Sequence, residues 1–266
     1  MDKGKNKGLI IVVVLLILIV LGLTFYICYD KGVFGKKENG SSASIEENNE
    51  QNGTEDENVE FSDSELQKYV NYIKPTGFKD YALLYNVDKV DAKSLSVGDK
   101  IKYIGSYVYS KSTTTSDAQY DTILENDVKS AVEEVYGPNS YEKATFNLGC
   151  GDYTLNETEK KYYSKTGCGA GGLISVSNQI IDYKATKSKL EITTAYVFFD
   201  GETNKIYKDY NRSIILDNYT ETTRDETATY LKEYAKSNKD KLSTIVYTFE
   251  SADGINYYFT GLVNNK

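Results

Sequence analysis

The sequence predicts an α+β domain held to a membrane by a single N-terminal transmembrane helix. Three observations predict it. Residues 9–29, LIIVVVLLILIVLGLTFYICY, carry no charge. At about 1.5 Å per residue, a helix of that length spans roughly the 30 Å of a bilayer's hydrocarbon core. Residues 38–65 then hold ten acids and no Lys or Arg, with too little apolar surface to offset the entropy of ordering them. Past residue 62, amphipathic helical patterns come first. Long β-branched and aromatic runs joined by short turns come later, which suits several helices packed on a mainly antiparallel sheet rather than βαβ units. The expected organisation is a cytoplasmic tail at 1–8, a transmembrane helix at 9–29, a disordered acidic linker at 30–61 and an extracytoplasmic α+β domain at 62–266.

The anchor has rivals that its composition disfavours. A cleaved signal peptide carries a shorter apolar region and an A-x-A-like site, and neither is present. A lipoprotein signal needs a small residue before the lipidated cysteine, but Ile27 precedes Cys28. A buried core helix would not be this uniformly apolar over five or six turns. Orientation is close to tied, with Lys3, Lys5 and Lys7 before the run and Lys31, Lys36 and Lys37 after it. The terminal amine, and a cysteine pair suited to an oxidising exterior, favour the N-terminus inside. The predicted localisation is the cell membrane, single-pass, with the C-terminal domain outside.

The formal net charge of −8 belongs mainly to the linker, because residues 66–266 hold 27 acids and 25 bases. That near-neutral domain has no basic stripe, so no nucleic-acid partner is expected. The partners expected are the lipid bilayer and an envelope glycan or protein.

Along the domain, Ser62-Asp63-Ser64-Glu65 matches a capping box, with Leu66, Tyr69, Val70 and Ile73 on one helical face and Pro75 and Gly77 ending the helix. Residues 81–87 fit no pattern. Val97, Ile101, Ile104 and Val108 follow a capping Ser96 at helical spacing, and 110–117 reads as a loop. Asn126 can cap a helix over 127–136 that buries Val128, Ala131, Val132 and Val135 and stops at Gly137-Pro138. Its Glu133-Glu134 pair falls on the opposite, solvated face.

Residues 153–155 and 162–164 look like arms of a hairpin. Residues 173–185 and 189–199 are long strands, followed by a turn at 200–205 and shorter strands near 206–210 and 213–216. A helix over 225–238 opens with Thr223-x-x-Glu226 and is expected to bury Ala228, Leu231 and Ala235. The chain closes with a hairpin of 244–250 and 255–263.

The chemistry excluded is broad. The chain has no His, which removes Ser-His-Asp and Cys-His nucleophiles, HExxH zinc sites and imidazole acid–base work. No catalytic residue, metal ligand set or cofactor is assigned. Carboxylate-pair hydrolysis needs only Asp and Glu, but Asp152, Glu157, Glu159, Asp200, Glu202 and Asp253 fall in turns where they should stay ionised and solvated. Gly167-Cys168-Gly169-Ala170-Gly171-Gly172 matches G-x-G-x-x-G, yet a strand follows it where a dinucleotide fold needs a helix.

Cys150 and Cys168 bracket the first hairpin. If Leu155 faces Tyr163, the same register sets Cys150 opposite Cys168. A structural disulfide then becomes the favoured state, with free thiols as the alternative. Such a bond would add about 3 kcal/mol of stability.

The order of a helix ending Val-Tyr-Gly-Pro, Gly-Cys-Gly, a hairpin, Cys-Gly-x-Gly-Gly, long strands, a helix and Val-Tyr-Thr-Phe-Glu…Asp-Gly-x-x-Tyr-Tyr-Phe resembles uncharacterised single-pass anchored ectodomains of AT-rich Gram-positive-type bacteria, over residues 124–263. The final hairpin after a helix is loosely similar to cystatin-like and NTF2-like domains. Neither resemblance implies an activity. The function expected is a non-catalytic binding or structural ectodomain. A carboxylate-dependent extracytoplasmic hydrolase and an accessory subunit of a membrane complex are the alternatives.

Overall fold

The structure is a computed structural model that describes residues 57–112, 115–116, 120–149, 151–165, 174–220 and 223–266. All belong to the compact unit formed by Thr54–Lys266. The expected membrane helix at 9–29, most of the linker, the glycine-rich run at 167–172, Cys150 and Cys168 lie outside the described residues. Among the described residues no helix is long and apolar enough to cross a membrane.

The domain is α+β, with antiparallel sheets and six α-helices among the described residues. Helix α1 (Asp63–Tyr72) begins at the predicted capping box: Ser62 Oγ accepts from the Glu65 amide, and Glu65 accepts from the Ser62 amide. Residues 81–87, unassignable by pattern, contain the short helix α2 (Ala82–Tyr85). The single helical repeat expected from Val97 to Val108 is broken at Ile104 into α3 (Val97–Tyr103) and α4 (Gly105–Lys111). Helix α5 (Glu125–Tyr136) buries the four predicted residues, but it starts before Asn126, which is therefore not its cap. Gly137 ends it at φ +96°, a conformation open to glycine at little cost.

Among the described residues the main sheet has seven strands. They are β1 (Lys89–Asp91), β7 (Ile174–Ala185), β8 (Lys189–Asp200), β9 (Lys205–Tyr207), β10 (Ile215–Asn218), β11 (Ser243–Glu250) and β12 (Tyr258–Asn265). Strand β8 is central: β11 and β9 share one of its edges, and β7 takes the other. Gly261 is needed where β12 meets β1, because a Cβ there would lie 2.5 Å from the Val90 carbonyl oxygen. A smaller five-stranded sheet joins β2 (Thr115–Ser116), β3 (Tyr120–Leu124), β4 (Phe146–Asn147), β5 (Asp152–Asn156) and β6 (Lys161–Lys165).

Period-two alternation divides β8 between two cores. Leu190, Ile192, Tyr196 and Phe198 join the larger cluster with α1, α2 and α5. Ala195, Val197 and Phe199 face Leu231 and Ala235 of α6 (Arg224–Ser237) on the other side.

Several expectations change. Leu155 pairs with Tyr162, not Tyr163, because the hairpin turn is one residue tighter than assumed. The register argument that set Cys150 opposite Cys168 therefore fails, although both residues remain outside the described set. Order begins before residue 62: the Val59 amide bonds to the Ala185 carbonyl, the Lys187 amide to the Glu57 carbonyl, and Phe61 packs on Tyr69 and Tyr257. Asp200 is not solvated. It is 2 % exposed and bound to Arg212 Nη1 at 2.6 Å. The last strand begins at Tyr258, and Ile255 is left in an exposed turn. That turn is held by Asp253, which accepts the Ile255 and Asn256 amides at 2.9 and 2.8 Å. Those amide bonds keep its carboxyl well below the usual range.

Candidate ligand cleft

On α6 Leu231 and Ala235 are buried as expected, but Thr227 takes the place expected of Ala228. Ala228 is exposed and Thr227 is buried, at 3 % exposure, with Leu231 and Ala235. A threonine inside a helix ordinarily bonds back to the carbonyl four residues earlier. Thr229 does so, to Asp225 at 2.9 Å. Thr227 does not: its Oγ1 is buried with no partner among the described residues.

That hydroxyl lies at a cleft of about 700 Å³ bounded by α1, the end of α2, the first half of β7 and the first half of α6. Strand β7 forms its floor. Ile174, Val176, Asn178 and Ile180 share the face of Asp200, Phe198, Tyr196 and Thr194, toward α1 and α2. Ser175, Ser177 and Gln179 share the face of Phe199, Val197 and Ala195, toward α6. The α1–α2 side offers Val70, Ile73, Leu84 and Tyr85 beside Gln67, Asn71 and Lys74, and the α6 side offers Thr227 and Lys232 beside Ala228 and Leu231.

A second unmet group lies in the same cleft. Asn178 Nδ2 donates to the Tyr247 hydroxyl at 3.1 Å, while Oδ1 is buried without a partner. Turning the amide over would only exchange one unmet group for another. Of three such orphaned side-chain atoms among the described residues, two line this cleft; the third, Thr76 Oγ1, does not. Leaving a buried polar group unmet costs about 1–3 kcal/mol, so their coincidence in one place marks a surface shaped for something other than stability. Burial pushes the Tyr85 phenol well up and raises Tyr81 as well, so both are neutral hydrogen-bonding groups at any ordinary pH. Lys74 and Lys232 are exposed on the rim, and no Asp or Glu among the described residues lines the cleft.

A second cavity of about 660 Å³ lies on the far side of α1, where Glu134 meets Lys111 at 3.0 Å, Lys68 at 4.0 Å and the Tyr72 hydroxyl at 2.9 Å. Glu134 is therefore not on a free solvated face as the helical wheel suggested. Burial alone would raise its pKa, but hydrogen bonds from Tyr107, Lys111 and Tyr72 outweigh it and hold the carboxyl below its ordinary value. The same carboxylate, after burial, helps push Tyr107 up to about 12. A carboxylate held ionised by a lysine and two phenols is a structural ion cluster. It has the wrong sign of shift for a general acid.

The structure places the other singled-out acids apart from both cavities. Glu157 pairs with Lys143 at 2.5 Å and with Lys160 at 3.3 Å, Glu159 accepts from the Tyr163 hydroxyl, and Asp152 accepts from Asn147 at 3.0 Å. Among the described residues, no three Cys, Asp or Glu side chains are grouped so as to hold a metal ion. Sequence reasoning missed Asn178 and Thr227 altogether. Asn178 was legible only as the one amide on the apolar face of a strand. Comparison with family models, curated proteins and solved structures returns no match for this chain.

Proposed function

We propose that the chain is a single-pass surface protein with a non-catalytic binding domain, and that the cleft between α1 and α6 is its ligand site. The uncharged run at 9–29 supports an anchor with the C-terminal domain outside, and the acidic residues up to 56 support a solvated spacer that lifts the domain from the bilayer. The observation that carries the binding reading is the pair of buried, unmet groups, Asn178 Oδ1 and Thr227 Oγ1, in a cleft of ligand size. Against hydrolysis, the same lining offers amides, hydroxyls and two lysines but, among the described residues, no carboxylate pair.

The test is a screen of the full chain, solubilised in detergent micelles, against peptidoglycan fragments, envelope peptides and generic ester and glycoside substrates. Saturable binding that shifts β7 and α6 resonances, without product, is the expected result. Turnover abolished by changing one Asp or Glu would replace this reading with the hydrolase.

A further inference from the structure

Among the described residues, no strand pairs with one edge of the first half of β7, and that edge is the floor of the cleft. One side of β7 is taken by β8 throughout. On the other side, the only pairing among the described residues is at the far end, where Asn58 bridges to Thr186 and the Val59 amide bonds to Ala185. From Ile174 to Gln179 no described strand takes the second edge, and those six residues line the cleft. Native sheets usually shorten, charge or cover a long edge, because its unpaired amides and carbonyls recruit other chains. Here α1 and α6 wall the edge on both sides without occupying it, leaving a slot at the position of the next strand.

We propose that the ligand is an extended acidic peptide that adds to β7 as a further strand; this rests on the reading of the cleft as the ligand site. The added strand would present alternate side chains to the two walls. One set meets Val70, Ile73 and Leu84 on the α1–α2 side, where Lys74 stands at the rim, and the other meets Ser177 and Thr227 on the α6 side, where Lys232 stands at the rim. The fitting sequence alternates apolar with polar residues. The two rim lysines and the lack of lining carboxylates make the favoured polar residue acidic. The chain's acidic stretch at 38–56 is a poor occupant, since Ile45 is its only apolar side chain larger than alanine.

The decisive probe is a synthetic octapeptide of alternating valine and glutamate, titrated into the full chain in micelles. Two comparisons accompany it: the valine–lysine counterpart, and the valine–glutamate peptide N-methylated at alternate amides on its pairing edge. The protein is unchanged in all three, so no result depends on a variant folding. The acidic peptide should protect the Ile174–Gln179 amides from hydrogen exchange. The basic peptide should bind at least about tenfold more weakly, and the N-methylated one should lose protection, because its donors are gone while its side chains remain. Equal binding of the methylated and unmethylated peptides, or no binding at about millimolar concentration, would overturn strand addition. If soluble glycan fragments then shift the same amides, the cleft stands as a ligand site and only the peptide assignment falls. If neither shifts them, both fall.

Discussion

Replacing Asn264 by leucine should destabilise the domain by about 3 kcal/mol, the largest loss expected from one surface-distant substitution. Asn264 sits on β12 at 6 % exposure. Its Nδ2 donates to the Leu84 and Tyr85 carbonyls at 3.2 and 3.1 Å, and its Oδ1 accepts from the Tyr196 hydroxyl at 2.9 Å. One side chain thus ties the last strand, the end of α2 and the centre of β8 together. Leucine fills the volume but strands the two carbonyls, each costing about 1–3 kcal/mol when unmet, less what relaxation recovers, and leaves the Tyr196 phenol with Ser243 as its remaining partner. In a domain of this size that lowers Tm by roughly 6–12 °C. Asn264→Asp should be at least as damaging, since it loses both donors and buries a charge. Thermal melts of the two variants check this. A shift of only a degree or two would mean that the three bonds are replaced by water. Tyr85 lines the cleft, so the same network also braces the ligand site.

Arg212→Ala should cost a similar amount, about 3 kcal/mol, because it leaves the Asp200 carboxylate buried without its cation. Asp200 closes the β8–β9 turn: its Oδ1 accepts the Glu202 amide at 2.9 Å, while Oδ2 meets Arg212 at 2.6 Å. The turn amides soften the loss but cannot neutralise the charge. Adding Asp200→Asn to Arg212→Ala should therefore restore part of the stability, a coupling that a double-mutant cycle in chemical denaturation measures directly. Simple additivity of the two changes would contradict the pairing.

Local signals survived into the structure wherever one element's own residues decided the outcome. The capping box at Ser62–Glu65, the stripe Val128, Ala131, Val132 and Val135, the glycine stop at Gly137 and the order of the late strands were all legible. What failed depended on partners distant in sequence. Asp200 lies in a turn and reads as solvated, yet Arg212 returns to cover it. Glu134 lies on a polar helix face, yet α1 and α4 bring Tyr72 and Lys111 to it. The hairpin register differs by one residue, because adjacent Tyr162 and Tyr163 leave open which of them shares the face of Leu155. The cleft itself was invisible: the i, i+4, i+8 stripe of Thr227, Leu231 and Ala235 does not say that its hydroxyl goes unmet, and no pattern says which strand ends on an open edge.

The cleft reading turns most directly on Thr227→Val. Valine has the shape of threonine without the hydroxyl, so the substitution removes the unmet group and little else. If Thr227 Oγ1 is kept for a ligand and does nothing for the fold, the variant should be as stable as the parent or more stable by up to about 1 kcal/mol, as read by thermal denaturation of the ligand-free chain. A loss of stability of about 1 kcal/mol or more would show that the hydroxyl serves the fold, and would contradict its assignment to a ligand.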